Sequence, residues 1–551
     1  MSTPDPRANN RRETGTTRRA NAVQMIDLFA FPALTNLGRV LDEDAAYRDQ
    51  RGRRSYYSDR VLLAVTACAR ITGSTASALS ALREPGVWQA CRAADFAITG
   101  RPMADTPPTR DHVDHFRAKI TRADKDTGVP ELLRRLSVAF TSAAVKQARL
   151  HGNLLPGVQP DFTQFDSRHM VFGDGTILKP FSDVVVVANP VTGELMAVGS
   201  RAASFGAARI QRDTRRSGTD EKAQSGINFV SLATRTGHGR VVLAVGAETG
   251  AEIWATLDLC DRVAAAAGNA VHTLVYDRAV TGWTVGYLMA RHRIQVLGKV
   301  SAGDGKNPAR RAAANAFSER IAALAVRLGV KVDNINEPIL RTDVLGRMHR
   351  GERLQRVGTS VYPTTKGYDV AYGYFAFVTA THQGASGARC EHDLVMDDGA
   401  LFTVGIDELG EELVKTAHLP CQAATAVFDA VAGTWGTTST YLVPCEKGDF
   451  TYTRTWAPSD TRYTKGDGHK APEAQDPIGW RLHPISRTDP KRFKDVEQGR
   501  NDSESYNAQF KRSLPGKSRT RGSAITLAGQ ELDFLLGGLV ANSETWANGR
   551  R

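Results

Sequence analysis

Between Ile26 and about Ala148, apolar residues recur three and four positions apart, as in Val61, Leu62, Val65, Cys68 and Ala69, and again in Leu132, Leu133, Leu136 and Phe140. That spacing lines one face of successive helices, so residues 24–150 are expected to form an all-helical DNA-binding or assembly domain. Pro107-Pro108-Thr109-Arg110-Asp111 reads as a helix start, with Thr109 as the cap and His112 to Ile120 following. After Pro156 the period changes. Met170-Val171-Phe172-Gly173 and Val184 to Ala188 are β-rich runs, and Gly226 to Val245 supplies two strands around the turn Gly237-His238-Gly239. An amphipathic helix is expected over Ala251 to Ala267, a short strand over His272 to Tyr276, a helix over Gly282 to Arg291 and a strand over Ile294 to Val300. The order β-β-β-α-β-α-β, antiparallel strands first and crossovers after them, predicts an α/β fold with helices on the faces of a mixed sheet over residues 160–300.

The pattern over 301–485 is uneven, a basic helical stretch (Asn307 to Leu328) followed by strands such as Tyr372 to Ala380, Leu401 to Val404 and Tyr441 to Pro444, and it reads as a β-rich insertion. Over 486–551 a charged helix from Asp489 to about Ser513 precedes a Gly/Ser/Arg loop and an apolar helix from Gln530 to Ala541. Residues 1–23 carry five arginines and two acids among polar residues, too little apolar surface to offset ordering entropy, so a disordered basic arm is expected there.

Across 551 residues, 71 Lys and Arg stand against 59 Asp and Glu, a formal charge of +12 that favours a polyanionic partner, nucleic acid first. No run approaches the ~18 apolar residues of a spanning helix. The basic amino terminus has no apolar segment behind it, so a cytoplasmic location is expected. Six cysteines in so long a chain are not a disulfide framework. Cys390-Glu391-His392, His418-Leu419-Pro420-Cys421 and Cys445 are usable zinc ligands, but they lack tight CxxC pairs, and buried thiols and ordinary surface histidines are the plainer reading. Gly303-Asp304-Gly305-Lys306 lacks the frame of a phosphate loop.

Metal-dependent phosphodiester cleavage needs carboxylates from separate elements, because two cations about 3.5–4 Å apart must be bridged. Asp174 follows Met170-Val171-Phe172-Gly173 and precedes Gly175-Thr176, small residues that would leave its carboxylate uncovered; a turn aspartate is the plainer alternative. Asp161 and Asp166 compete for the same role. Asp277 ends His272-Thr273-Leu274-Val275-Tyr276, where a helix cap is the alternative. Arg500, Glu504 and Lys511 fall within about 40° of one another on a helix, setting a carboxylate between two cations on one stripe. A solvated charged face would look the same. The surroundings favour chemistry: between Arg487 and Arg521 ten basic residues stand against five acids.

These residues resemble the DDE transposases of bacterial insertion sequences, the group with the Tyr-x2-Arg-x3-Glu-x6-Lys (YREK) signature. Arg500, Glu504 and Lys511 match its spacing, Asp174 lies in Asp-Gly-Thr and Asp277 in Tyr-Asp-Arg-Ala, over roughly residues 160 to 535; the tyrosine position holds Glu497. The resemblance implies an RNase H-like core interrupted before its last acid by a β-rich insertion, for which the 504 − 277 = 227 residues between the acids leave room. It implies that Asp174, Asp277 and Glu504 hold Mg²⁺, with Mn²⁺ able to substitute, and that Arg500 and Lys511 hold DNA phosphate. It further implies cutting of double-stranded DNA at element ends and joining to target DNA, within a homodimeric synaptic complex. Trp435, Trp456 or Trp480 would offer a platform for a flipped base, or would pack in the core. At Glu497 a carboxylate repels phosphate or pairs with Arg492 or Arg500, which leaves a lapsed, DNA-binding relative as the alternative, alongside a nuclease without strand transfer.

Overall fold

The computed structural model describes residues 15–42, 56–124, 128–178, 185–188, 195–198, 211–213, 224–248, 252–276, 279–280, 283–298, 357–363, 370–384, 387–397, 400–406, 413–458, 496, 499–514 and 526–551. The fold is mixed α/β, in two compact units. The first gathers Met1–Pro156, Arg168–Ala270 and Gly499–Arg551; the second gathers Gly157–Ser167 and Val271–Gln498.

The first unit opens with seven helices, α1 (Gly15–Phe29), α2 (Ala33–Asp42), α3 (Asp59–Thr72), α4 (Thr75–Leu82), α5 (Val87–Thr99), α6 (Arg110–Thr121) and α7 (Glu131–Leu150). The helix α1 reaches back to Gly15, so the last nine residues of the stretch expected to be disordered are helical. Thr109 is the N-cap of α6, its backbone N–H donating to His112 Nδ1 at 3.2 Å. Close packing of α2 on α3 depends on Gly38, where a Cβ would run into Arg60. Arg60 donates to the Phe29 carbonyl at 2.9 Å and pairs with Asp95 of α5, which ties three helices at one buried point.

Strand β1 (Met170–Leu178) follows, then three short strands, β2 (Val185–Ala188), β3 (Leu195–Val198) and β4 (Gln211–Asp213). The long strands β5 (Gln224–Thr236) and β6 (Gly239–Glu248) come next, with helix α8 (Glu252–Ala267) behind them. All sheet pairings in this unit are antiparallel: β1 with β5, β5 with β6, β4 with β5, and β2 with β3 as a separate ribbon. Within the β-rich run expected at Val184 to Ala188, the described residues Val185–Ala188 pair with Leu195–Val198.

Two helices from the end of the chain, α10 (Arg500–Arg512) and α11 (Leu527–Asn548), complete the unit. The α11 helix is apolar nearly all round, with Leu532, Phe534, Leu535 and Leu536 fully buried in a core shared with α1–α7 and β5. The amino-terminal helices thus share one core with sheet and carboxy-terminal helices, where the sequence suggests a separate domain over 24–150.

In the second unit β7 (Thr273–Val275) and β8 (Gln295–Leu297) pair in parallel, joined through α9 (Trp283–His292). Among the described residues the β-rich region holds eight strands, β9 (Val357–Pro363), β10 (Val370–Gln383), β11 (Arg389–Asp397), β12 (Ala400–Ile406), β13 (Leu413–Leu419), β14 (Cys421–Asp429), β15 (Thr434–Val443) and β16 (Phe450–Trp456). They form two antiparallel meanders, β9 to β13 and β14 to β16. One small core of eight buried side chains spans both meanders, with Val378, Leu394 and Leu401 from the first and Tyr441 and Val443 from the second. Among the described residues no single helix is long and apolar enough to cross a membrane.

Candidate active site

Strand β1 is buried along most of its length, and Asp174 is one of its two half-buried positions. Its register partner on β5 is Ser231, which is fully buried, so both side chains rise from the same face of the sheet. Helix α10 lies on that face. Gly499, its N-cap, sits so close to Phe172 that any Cβ would overlap the ring. Asn507, two turns further on and 4% exposed, donates from Nδ2 to Asp174 Oδ2 at 2.9 Å and accepts from Ser231 Oγ at 3.3 Å. With both ends of its amide engaged, Asn507 has one orientation, NH₂ toward the carboxylate.

Other side chains fix the roll of α10. Tyr506 is buried and donates from its hydroxyl to the Phe534 carbonyl at 2.6 Å, and Phe510 meets the Phe534 ring edge-on at 4.8 Å. Burial raises the Tyr506 hydroxyl far above the ordinary tyrosine range, so it stays a neutral donor. On the remaining side Arg240 of β6 donates to Ser505 Oγ at 2.8 Å and to Gln509, with its guanidinium 5.8 Å from the Tyr506 ring centroid.

This packing determines what the charged stripe faces. Relative to Glu504, Asn507 lies about 60° round the helix and Arg500 and Lys511 lie about 40° and 20° round it in the same sense. The residue that touches Asp174 therefore belongs to the same stripe as the three residues of the signature. Glu504 is one turn before Asn507, at ~5–6 Å between Cβ atoms for such neighbours. It is exposed, and Lys511 is half-buried. The structure thus brings the Asp174 strand and the Glu504 helix together. Asp277 and Glu497 lie outside the described residues, as do Trp480 and the segment from Gly303 to Leu328.

Gly175 has a different reason from the one its sequence suggests. Its Cα faces the side of the sheet opposite Asp174, and the space a Cβ would take is filled by the Glu252 carboxyl group at the start of α8. Glycine here leaves room for the end of the Glu252 side chain on that side of the strand. Asp161 is engaged in a local turn, its Oδ1 accepting from the N–H of Thr163 at 2.9 Å and from its hydroxyl at 2.6 Å. Trp456 is buried, and Trp435 is packed between Phe428 and the guanidinium of Arg293, 5.2 Å from its ring.

The cysteine and histidine candidates separate into two sets. His418 packs on Phe402 and Cys421 Sγ lies 3.2 Å from the Ala423 carbonyl, whereas Cys390, His392 and Cys445 lie together with His382.

Asn507, Ser231 and Arg240, which surround Asp174 and the charged helix, are residues that charge and motif spacing do not single out. The helical angle of Asn507 was the available signal. No family model, no curated protein and no solved structure matches the chain.

Proposed function

We propose that this protein is a DDE transposase with an RNase H-like core, cutting DNA at the ends of an insertion sequence and joining it to target DNA. The observation that supports the reading is the hydrogen bond from Asn507 to Asp174, since Asn507 lies on the same stripe of the helix as Arg500, Glu504 and Lys511. The element order β1, β5, β6, α8, β7, α9, β8 and the placing of a β-rich region before the last acid agree with the resemblance. So does the net charge of +12.

Asp174, Asp277 and Glu504 offer hard oxygen donors, the ligand type that suits Mg²⁺ or Mn²⁺. Bound there, divalent ions would polarise an attacking water or 3′-hydroxyl and neutralise the leaving oxygen. Asn507 holds the Asp174 carboxylate by a bond that favours its charged form. Arg500 presents a planar fork to phosphate and Lys511 a point charge, so the pair would fix the scissile strand beside the acids. A homodimer pairing two double-stranded DNA ends is part of the same proposal.

The test is Mg²⁺- or Mn²⁺-dependent nicking and joining of DNA carrying the element's terminal inverted repeats. Cleavage and joined product in the wild type, lost in Asp174→Asn and in Glu504→Gln, support the proposal. Cut ends without joined product indicate a nuclease. Glu497 at the tyrosine position favours a second reading, a lapsed transposase that still binds DNA; equal, salt-sensitive binding with no cleavage by any of the three proteins would establish it.

A further inference from the structure

The hairpin of β10 and β11 carries an unusual patch on one face. His382 is paired with Cys390 and Ala380 with His392, so His382, Cys390 and His392 all point the same way from adjacent positions on the two strands. The loop between β15 and β16 brings Cys445 onto this patch. Ligand atoms of His382, His392 and Cys445 lie within 4.8 Å of one another, and the Cys390 thiol is in hydrogen-bond contact with that of Cys445.

Aromatic packing accounts for only part of this arrangement. Phe450 stacks on His382 with centroids 4.0 Å apart and an 11° tilt, and it touches His392 at 5.2 Å. Yet both imidazoles hold their Nε2 atoms away from solvent, and among the described residues neither has a hydrogen-bond partner. An unpaired buried nitrogen costs about 1–3 kcal/mol, and two side by side in one small core would be an expensive way to fill space. Two imidazole nitrogens converging with the Cys445 sulfur, with the Cys390 thiol bonded beside it, have a simple remedy, a cation at their centre.

The Cys445 loop is shaped for a metal thiolate. The N–H of Lys447 points at Cys445 Sγ at 3.4 Å, the Gly448 N–H closes on the Cys445 carbonyl at 2.9 Å, and Gly448 takes the left-handed conformation at φ 108°. Lys447 itself packs over Gly384, at the hairpin turn that carries His382 and Cys390.

From this geometry we infer that His382, Cys390, His392 and Cys445 form a structural Cys₂His₂ zinc site that pins the β10–β11 hairpin to the β15–β16 loop. Two sulfurs and two imidazole nitrogens are a tetrahedral, borderline-soft set that suits Zn²⁺ and is a poor match for Mg²⁺. With metal–sulfur bonds of ~2.3 Å and metal–nitrogen bonds of ~2.0–2.1 Å, the ligand atoms of a tetrahedron stand roughly 3.3–3.8 Å apart. The atoms of His382, His392 and Cys445 already lie within 4.8 Å of one another, and Cys390, bonded to Cys445, supplies the fourth on closing round an ion. Among the described residues the core shared by the two meanders has eight buried side chains, small enough for such a staple to matter. This inference stands apart from the proposed catalytic chemistry and does not depend on it.

The test is zinc content of the full chain, purified under reducing conditions without a histidine tag, together with the absorption spectrum after cobalt substitution. One zinc per chain is expected, with thiolate-to-cobalt charge-transfer bands and the intense visible bands of tetrahedral cobalt. Metal content should fall to background in Cys445→Ser and in His382→Ala, and stay at one in Cys421→Ser, His418→Ala and Asp174→Asn. If the ligand variants fail to fold, the wild-type cobalt spectrum decides. Wild type with background zinc and no thiolate-to-cobalt bands would overturn the site, as would a Cys390–Cys445 disulfide in the metal-free chain or loss of zinc in Asp174→Asn with retention in Cys445→Ser.

Discussion

At the scale of single residues, the Asp174 carboxylate is held by one neutral amide whose other end is fixed by Ser231. Replacing Asn507 by Ala removes the orienting bond while keeping the acid. Supporting contacts of this kind are worth about 10–100-fold in metal affinity or activity. Cleavage by Asn507→Ala is therefore expected to fall by about that factor, with weaker Mg²⁺ dependence and unchanged DNA binding. Equal cleavage by the variant and the wild type at limiting Mg²⁺ would show that Asn507 does not position the acid. A second residue makes a prediction about pH. Burial of Glu531 raises its carboxyl from 4.5 to about 7, with Arg262 opposing and Asp258 and Glu248 adding to the rise. The folded state then holds a proton that the unfolded chain has released, so its stabilising contribution is complete below about pH 4.5 and is lost as the pH rises through about 7. At ~1.4 kcal/mol per pH unit the loss is up to about 3 kcal/mol. Glu531→Gln should melt higher than the wild type at pH 8, with the gap shrinking toward pH 5; a gap independent of pH would contradict the assignment. Asp-Gly-Thr is legible in the sequence at this scale, but the reason for its glycine is not, because Glu252 is 77 positions away along the chain and only the fold brings it there.

At the scale of elements, α11 is sewn to β6 by side chains that replace a strand. Asn542 is 1% exposed; its Oδ1 accepts from the Val242 N–H at 2.7 Å and its Nδ2 donates to the Val242 carbonyl at 2.8 Å. Thr545 adds a bond to the Arg240 carbonyl at 2.6 Å, and Gln147 of α7 donates to the Asn542 carbonyl at 2.8 Å. Asn542→Ala would leave two buried backbone groups without partners at about 1–3 kcal/mol each. A destabilisation of roughly 2–5 kcal/mol is expected by chemical denaturation, and a loss below about 1 kcal/mol would mean the strand finds water or another partner. The core strands and helices are legible from periodicity because their apolar faces are wide: α8, α9, β7 and β8 appear within a few residues of where the pattern puts them. Strands β11, β13, β14 and β16 are less legible. Charged and small residues interrupt β11, β13 and β14, and β14 and β16 each have one fully buried position, so the apolar content that marks a core strand is thin. The zinc ligands suffer in the same way. His382 lies on a strand whose pairing, rather than any local spacing, places it beside Cys390.

At the scale of the whole molecule, the first unit closes through buried charge as well as apolar packing. Asp533 of α11 is 1% exposed and lies 2.7 Å from Arg117 of α6 and 4.0 Å from Arg70 of α3. Removing one partner of a buried network costs about 3–5 kcal/mol, because the others are left uncompensated. Asp533→Ala should therefore unfold at markedly lower denaturant, whereas Glu131→Ala, which breaks an exposed pair with Arg134, should change little. Similar losses in both would argue that the buried triad contributes nothing special. Net charge and motif order are visible in the sequence without any fold, but the way chain segments far apart complete one core is not, since no local pattern marks Arg117 and Asp533 as neighbours.

That closure also sets a clock on synthesis. Asp174 is made early, but the helices that cover its sheet face, α10 and α11, come from residues 499–551, after the whole of 271–498 has been translated. At ~5–20 residues per second a ribosome needs roughly 10–50 s to cross that interval. For all that time Phe229 and its neighbours have no Phe534 to cover them. A nascent chain therefore carries a sticky, unfinished sheet, and a message cut short after residue 270 would yield a product prone to aggregate rather than a smaller working protein.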